Sequence, residues 1–388
     1  MIACALRKNR FEVVLPMKLE SIPTPALLLD AARLEANCRA MRERLAAKGV
    51  RLRPHVKTAK SVEVARLALG AETGPITVST LAEAEHFIGH GFDDILYAVG
   101  IAPAKLERVG ELARSGARVT VIVDSLDAAR AVAEANRRFG LRIPALVEID
   151  SDGHRAGIRP GDTRLLEVAG ILGPAMEGVM THAGDSYNCA STRDIAAIAE
   201  RERSTVARCA EALRLSGFPC PLVSVGSTPT ATFGARFDAI TEVRAGVYVF
   251  HDLVMAGLGV CAVEDIALSV LGTVIGHQRE KNWLITDAGW MALSRDRGTA
   301  RQKVDQGYGL VCDAEGRALG DLIVADANQE HGIVARRDGG ALDFARFPIG
   351  SLLRVLPNHA CATGAQHRAY RVVRGGRVKD TWERIGGW

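Results

Sequence analysis

Between residues 50 and 249, short apolar segments alternate with helical patterns eight times, and this rhythm restricts the fold more than any other feature of the chain. The apolar segments are 50–57, 76–79, 94–99, 117–123, 144–149, 177–182, 222–225 and 241–249. Glycine, proline and aspartate gather in the short connections, and Thr80 with Glu83 three residues on reads as a capping box. Strands that alternate with helices pair in parallel and are covered on both faces. Eight right-handed units predict a closed (β/α)8 barrel of the TIM type, with an open doubly wound sheet as the alternative. No glycine-rich dinucleotide fingerprint follows any of the strands.

After about Leu258 the helical patterns stop. Residues 267–275, 283–287, 309–312, 321–325, 332–336 and 351–356 read as strands, and 370–378 as a hairpin turning at Gly375-Gly376. The expected fold class is therefore α/β: a (β/α)8 barrel over 24–258 followed by an all-β domain over 259–388. The strand at 24–30 is expected to join the β domain. Residues 1–23 are expected to be an N-terminal extension, dispensable up to Pro16 because Met17 offers a second start.

Charge and composition narrow the function classes. The formal net charge is +4 on 388 residues and no Lys/Arg run exceeds a pair, so there is no footprint for nucleic acid. The apolar stretches are too short to span a bilayer. The first sixteen residues lack the basic, apolar, small-residue order of a signal peptide. Eight cysteines scattered singly suit buried thiols in a reducing, cytoplasmic compartment.

The first barrel segment carries the chemistry. From Val50 to Lys57 it alternates strictly, with Arg51, Arg53, His55 and Lys57 on one side. A basic row on a covered strand is costly unless an anion faces it; the alternative is an edge facing solvent. Catalytic groups of such barrels sit at the C-terminal strand ends, which turns the row inward with Lys57 at the mouth. A partly desolvated amine among cations is a nucleophile able to form a Schiff base. Gly226, Ser227 and Thr228 follow the seventh strand, and Gly246 and Val247 lie on the eighth. Those positions suit a phosphate held by backbone N–H groups, or glycines that only relieve tight turns. Arg155, His182 and Tyr187 close the fifth and sixth strands and fall at the same rim, which argues for a pocket. His359 and Cys361, two apart at the end of an apolar strand, are expected on one face. Imidazole with thiolate suits zinc, whereas an ordinary buried thiol is the alternative for Cys361.

Several motifs together resemble one family. They are Arg53-Pro54-His55-Val56-Lys57-Thr58, Gly153-His154-Arg155-Ala156-Gly157, Val225-Gly226-Ser227-Thr228-Pro229-Thr230, Glu242 to Tyr248, and His359-Ala360-Cys361. The combination is similar to the D-serine dehydratase and D-threonine aldolase family, pyridoxal phosphate enzymes of the alanine racemase fold. The resemblance runs from about Met17 to Trp388. It implies that Lys57 holds pyridoxal phosphate, that Gly226, Ser227, Thr228, Gly246 and Val247 bind its phosphate, and that His182 and Tyr187 contact the cofactor. It places Arg155 near the pyridine ring or its phenolic oxygen. It gives His359 and Cys361 to zinc, with manganese or another divalent metal as the alternative. Met180 departs from the family, whose dehydratases often place Tyr there. Cys361 stands where the aldolase branch has Asp, which points to dehydration of a D-3-hydroxy amino acid, D-threo-3-hydroxyaspartate or D-serine, to a 2-oxo acid and ammonia. A small-molecule D-amino acid substrate and a homodimer are implied. Three rivals stay open: retro-aldol cleavage to glycine and an aldehyde, racemisation with His182 or Tyr187 as second base, and a carrier of the cofactor without turnover. A second substrate carboxylate would want an arginine, for which Arg295, Arg297 and Arg301 are candidates.

Overall fold

The computed structural model describes residues 17–388. The extension expected at Met1–Pro16 lies outside the described residues. Two sheets organise the rest. The first strand, β1 (Ala26–Asp30), belongs to the second sheet in space. Next come β2 (Arg51–Pro54), β3 (Ile76–Val78), β4 (Asp94–Gly100), β5 (Arg118–Val123), β6 (Ala145–Ile149), β7 (Met176–Thr181), β8 (Leu222–Val225) and β9 (Glu242–Ala245). These eight run parallel in the order β2-β9-β8-β7-β6-β5-β4-β3. A bridge from His55 to Thr77, with Val56 N–H donating to Thr77 O at 2.9 Å, joins β2 back to β3 and closes the barrel.

The helices between the strands start where the sequence supplies caps. Asp30, Thr80, Ser125 and Ser191 each accept a backbone N–H of the first turn. The outward residues of the strands, among them Ile76, Val78, Val121, Val147, Val179 and Val223, are buried against those helices. Inside the barrel, Leu96, Ile122, Leu146 and Met180 form a separate apolar cluster. The opposite half of the interior is polar: Arg53, Ser224, Glu242 and Arg244 are all at most 3% exposed.

The anion that the basic row requires is thus the protein's own. Glu242 accepts from Arg53 Nε at 2.8 Å and from Arg51 at 2.7 Å, and Asp94 accepts from Arg53 at 3.0 Å. Ser224 donates to the other Glu242 oxygen at 2.8 Å. A guanidinium buried this completely is tolerated because its donors are met by carboxylates.

Three strand ends differ from expectation. The first barrel strand stops at Pro54, and the chain turns over Val56–Ala59, with Lys60 N–H returning to Val56 O at 2.7 Å. Lys57 therefore sits on a turn just past the strand. The eighth stops at Ala245, and after Gly246 a 3-10 turn takes Val247–Val249. His359 is not on a strand: it precedes a short helix, Ala360–Gly364, separated by three residues from the apolar strand that ends at Leu356.

The remaining strands are β10 (Leu268–Gln278), β11 (Trp283–Thr286), β12 (Leu310–Cys312), β13 (Ala318–Ala327), β14 (Gly332–Arg336), β15 (Leu352–Leu356), β16 (Ala369–Arg374) and β17 (Arg377–Glu383). The order β11-β14-β13-β12-β15-β10 closes on itself because β10 also pairs with β11. β1, β16 and β17 extend this ring from β10. Met17 pairs with Val378 along the edge of that extension. No helix among the described residues is long and apolar enough to cross a membrane.

Candidate active site

A cavity of about 400 Å³ opens at the C-terminal ends of the barrel strands. Lys57, Arg155, His182 and Tyr187 line it together with the turns at Gly226–Thr228 and Gly246–Val247. His359 and Cys361, from the β sheet side, line the same space. The eleven residues that the resemblance gives to the cofactor or the metal are thus brought to one place. The chain around Lys57 is held from the far end of the sequence. Tyr370 Oη donates to Ala59 O at 2.6 Å, Arg384 Nε donates to the same carbonyl at 3.1 Å, and Ile385 N–H donates to Lys60 O at 2.9 Å. Lys57 itself reaches into the open cavity, whereas Lys60 is committed to Glu83 at 3.1 Å.

The two glycine turns have a steric reason of their own. Gly226 has φ +134°, and a Cβ there would lie 2.2 Å from Arg244 O. A Cβ on Gly246 would lie 2.9 Å from His55 O. At both points the missing Cβ lets neighbouring backbones pack directly against each other. Ser227 caps the helix Thr228–Phe233, donating and accepting with Thr230, and its hydroxyl also meets Ser186 Oγ at 2.9 Å. Among the described residues no acceptor takes the backbone N–H of Gly246 or Val247. Unmatched donors on the cavity wall beside the Ser227 and Thr228 hydroxyls fit a phosphate group.

Two aromatic rings, His182 and Tyr187, line the same cavity with centroids 6.3 Å apart. His182 Nδ1 meets Gly226 O at 3.0 Å, which makes it the donor and leaves Nε2 as an acceptor toward the cavity. Burial pushes His182 down to about 4, so the ring is neutral at neutral pH. His55 is pushed well below its ordinary value by burial and by Lys57 and Arg244. Burial raises the Tyr187 phenol, whose oxygen reaches the backbone of Thr228. Arg155 pairs with Glu148 at 3.5 Å on the open side of the cavity. Met180, where the family often has Tyr, forms part of the apolar floor.

The His359–Cys361 pair has partners that its spacing did not show. Asp296 Oδ2 lies 2.6 Å from His359 Nδ1, leaving Nε2 for a metal. Burial pushes the His359 imidazole down, but Asp296 and Cys361 outweigh it and raise it to about 11. Burial opposes ionisation of Cys361, yet His359 and Lys57 hold the thiol below its ordinary value. Imidazole and thiol favour each other's charged forms, and a divalent cation that displaces their protons would meet one nitrogen and one sulfur donor. Cys361 Sγ also lies 3.2 Å from Thr58 Oγ1, the residue after Lys57. Among the described residues no three His, Cys, Asp or Glu groups gather as a metal cage. Two protein donors suit a metal that keeps positions open for substrate. Asp296, Thr58 and the buried Asp252 were not assigned roles from the sequence. Their signal is three-dimensional, since Asp296 and His359 are 63 positions apart.

Known proteins resemble the chain throughout. Residues 29–253 match the family model for the N-terminal domain of alanine racemase, and 267–373 match the putative serine dehydratase domain. D-threo-3-hydroxyaspartate dehydratase of Delftia sp. (strain HT23) is 54% identical over 374 residues, 95% of this chain and 98% of that one. D-serine dehydratase of Dictyostelium discoideum is 31% identical over 380 residues, 92% of this chain and 94% of that one. Among solved structures, a cysteine-to-alanine variant of D-threo-3-hydroxyaspartate dehydratase in a metal-free form superposes with a TM-score of 0.94 at 54% identity, covering 96% of this chain and 100% of that one. With a racemase-type barrel and a dehydratase-type β domain matched in the same order, this chain belongs to the D-serine dehydratase and D-threonine aldolase family of the alanine racemase fold.

Proposed function

We propose that the protein is a pyridoxal phosphate- and zinc-dependent lyase that dehydrates D-3-hydroxy amino acids, D-threo-3-hydroxyaspartate or D-serine, to a 2-oxo acid and ammonia. The observation that carries this is the meeting of Lys57, the Gly226–Thr228 and Gly246–Val247 turns and the His359–Cys361 pair in one cavity, with Cys361 touching the residue next to Lys57. Lys57 would carry the cofactor. Ser227, Thr228 and the backbone at Gly226, Gly246 and Val247 would hold its phosphate, His182 and Tyr187 would flank its ring, and Arg155 would lie near its oxygen. His359 and Cys361 would hold the metal. Bound there, pyridoxal phosphate supplies an electron sink for the Cα–H bond and zinc a Lewis acid for the β-oxygen.

The chain's own groups do the rest. Lys57 Nζ is the amine in the cavity able to take the proton from Cα. Asp296 holds the His359 ring by Nδ1, which would leave Nε2 free to hold the metal. His182, neutral and donating to Gly226 O, positions without adding charge. Loss of the Cα proton and the β-hydroxyl removes water, and hydrolysis of the released enamine yields the oxo acid and ammonia.

Retro-aldol cleavage needs the same cofactor but takes the proton from the hydroxyl and breaks Cα–Cβ. A coupled oxo-acid and ammonia assay over D-serine, D-threonine and both D-3-hydroxyaspartate isomers separates the two. Stoichiometric ammonia supports dehydration, whereas glycine with an aldehyde overturns it. Metal analysis of the purified protein distinguishes zinc from manganese. The proposal includes a cytoplasmic homodimer, and a monomeric mass by light scattering would remove the dimer.

A further inference from the structure

We infer that Arg301 binds the distal carboxylate of the substrate, so that the site selects D-3-hydroxy dicarboxylates over D-serine and D-threonine; this rests on the dehydratase proposal and deepens it. The segment Ser294–Lys303 carries three arginines suited to a carboxylate. Arg295 lies over the Trp290 ring, 5.1 Å from its centroid. Arg297 donates to Asp305 at 2.7 Å and lies over Tyr308. Arg301 alone of the three lines the cavity, and among the described residues it forms no ion pair.

The other cations of the cavity have work already. Arg155 pairs with Glu148, and Arg244 donates to Thr181 O at 2.6 Å and to Ser224. Lys57 is given to the cofactor and His359 to the metal. The two carboxylates of the wall do not compete for Arg301. Asp296 is held by His359, and Asp252 accepts the N–H groups of Met255 and Ala360, each at 2.9 Å.

Position on the wall decides which carboxylate is read. The metal that His359 and Cys361 would hold is proposed to act on the hydroxyl, which is bonded to Cβ, and the distal carboxylate of a 3-hydroxy dicarboxylate is bonded to the same carbon. Asp296 and Gly298 line the cavity from the segment that carries Arg301, and Asp296 holds a metal donor. The segment is pinned on both sides of the arginine. Thr299 donates to Asn358 at 3.1 Å, Asn358 donates to Asp296 O and Gly307 O, and Gln302 donates to Val254 O at 3.0 Å. A guanidinium on a pinned segment loses less freedom on binding and presents two parallel donors to a carboxylate.

The test uses holoenzyme with Arg301→Gln and Arg301→Lys. For D-threo-3-hydroxyaspartate, Gln is expected to lower kcat/KM by about 10- to 100-fold, mainly through KM, the range for losing a charged hydrogen-bond pair. For D-serine the change is expected to stay within about threefold, because nothing reaches Arg301. Lys is expected to recover part of the loss. Calorimetric binding of D-aspartate, which lacks the leaving group, is expected to weaken at least about tenfold in Arg301→Gln while D-alanine binding holds. Unchanged hydroxyaspartate kinetics, or equal losses on both substrates, would overturn the assignment, the second by giving Arg301 to the α-carboxylate. If the unaltered protein releases ammonia from neither substrate, the dehydratase proposal fails, and the D-aspartate binding pair still decides the role of Arg301.

Discussion

Thr58 joins the two chemistries of the cavity, since its hydroxyl touches Cys361 and its chain neighbour is Lys57. Lys57→Ala is expected to abolish turnover while the protein still takes up pyridoxal phosphate through the turns at Ser227 and Gly246. The check is the visible absorbance of the purified variant, with borohydride labelling of the unaltered protein. A label on Lys60 would refute the assignment, and its 3.1 Å pair with Glu83 argues against that outcome. Asp296 acts one bond further out. Asp296→Asn keeps the shape but weakens the hold on His359, and is expected to lower zinc affinity about 10- to 100-fold. Competition with a chelator measures this without turnover. An unchanged affinity would reduce Asp296 to a packing residue of its loop.

Among the elements, the two glycine turns do more than bend the chain. Gly226 combines φ +134° with a backbone carbonyl 2.2 Å from where a Cβ would stand, so neither the conformation nor the space admits a side chain. Gly226→Ala is expected to cost about 3 kcal/mol or more of stability and to impair cofactor uptake. Urea unfolding with and without pyridoxal phosphate measures both; a cost below about 1 kcal/mol would mean that the turn relaxes freely. The His359–Cys361 pair shows another element-level device. Ending the strand at Leu356 and starting a helix at Ala360 folds His359 and Cys361 back toward each other, which an extended strand would also have allowed but without the Asp252 contact to Ala360 N–H.

For the whole molecule, the coupling of the two sheets matters most. Arg384 donates to Thr58 O, Ala59 O, Gly364 O and His367 O, so one guanidinium ties the Lys57 turn to the helix Ala360–Gly364. Arg384→Ala is expected to lower kcat about tenfold or more, because small displacements of a catalytic amine are costly. Wild-type kcat in this variant would show that the barrel alone positions Lys57. Acidity acts on the same scale. Burial pushes His182 and His251 down to about 4. In the unfolded chain they take up protons near pH 6.5, so the stability they confer is full above that pH and is lost as pH falls from 6.5 to about 4. The loss is at most about 3 kcal/mol for each. His251 has φ +51°, a conformation that asparagine tolerates. His251→Asn is therefore expected to flatten the fall of the urea midpoint between pH 6.5 and 4 in cofactor-free protein. Equal pH slopes for the two proteins would refute the titration of His251.

Much of this was legible in the residues because it is local. Alternation, caps and glycines act within a few positions, and they announce eight strand–helix units and a following β region. The residue types at Lys57, Gly226–Thr228 and His359-Ala360-Cys361 name their chemistry in the same way. What the chain could not state about itself is pairing across distance. The basic row suggested a foreign anion, but Glu242, 189 positions from Arg53, closes beside it when the barrel forms. Strand ends at Pro54 and Ala245 depend on where neighbouring strands stop bonding. Three arginines stand within seven residues, identical in composition and charge. Only the packing of the β sheet against the barrel mouth turns one of them to the cavity, because side-chain direction on an irregular segment follows from tertiary contacts and not from any period.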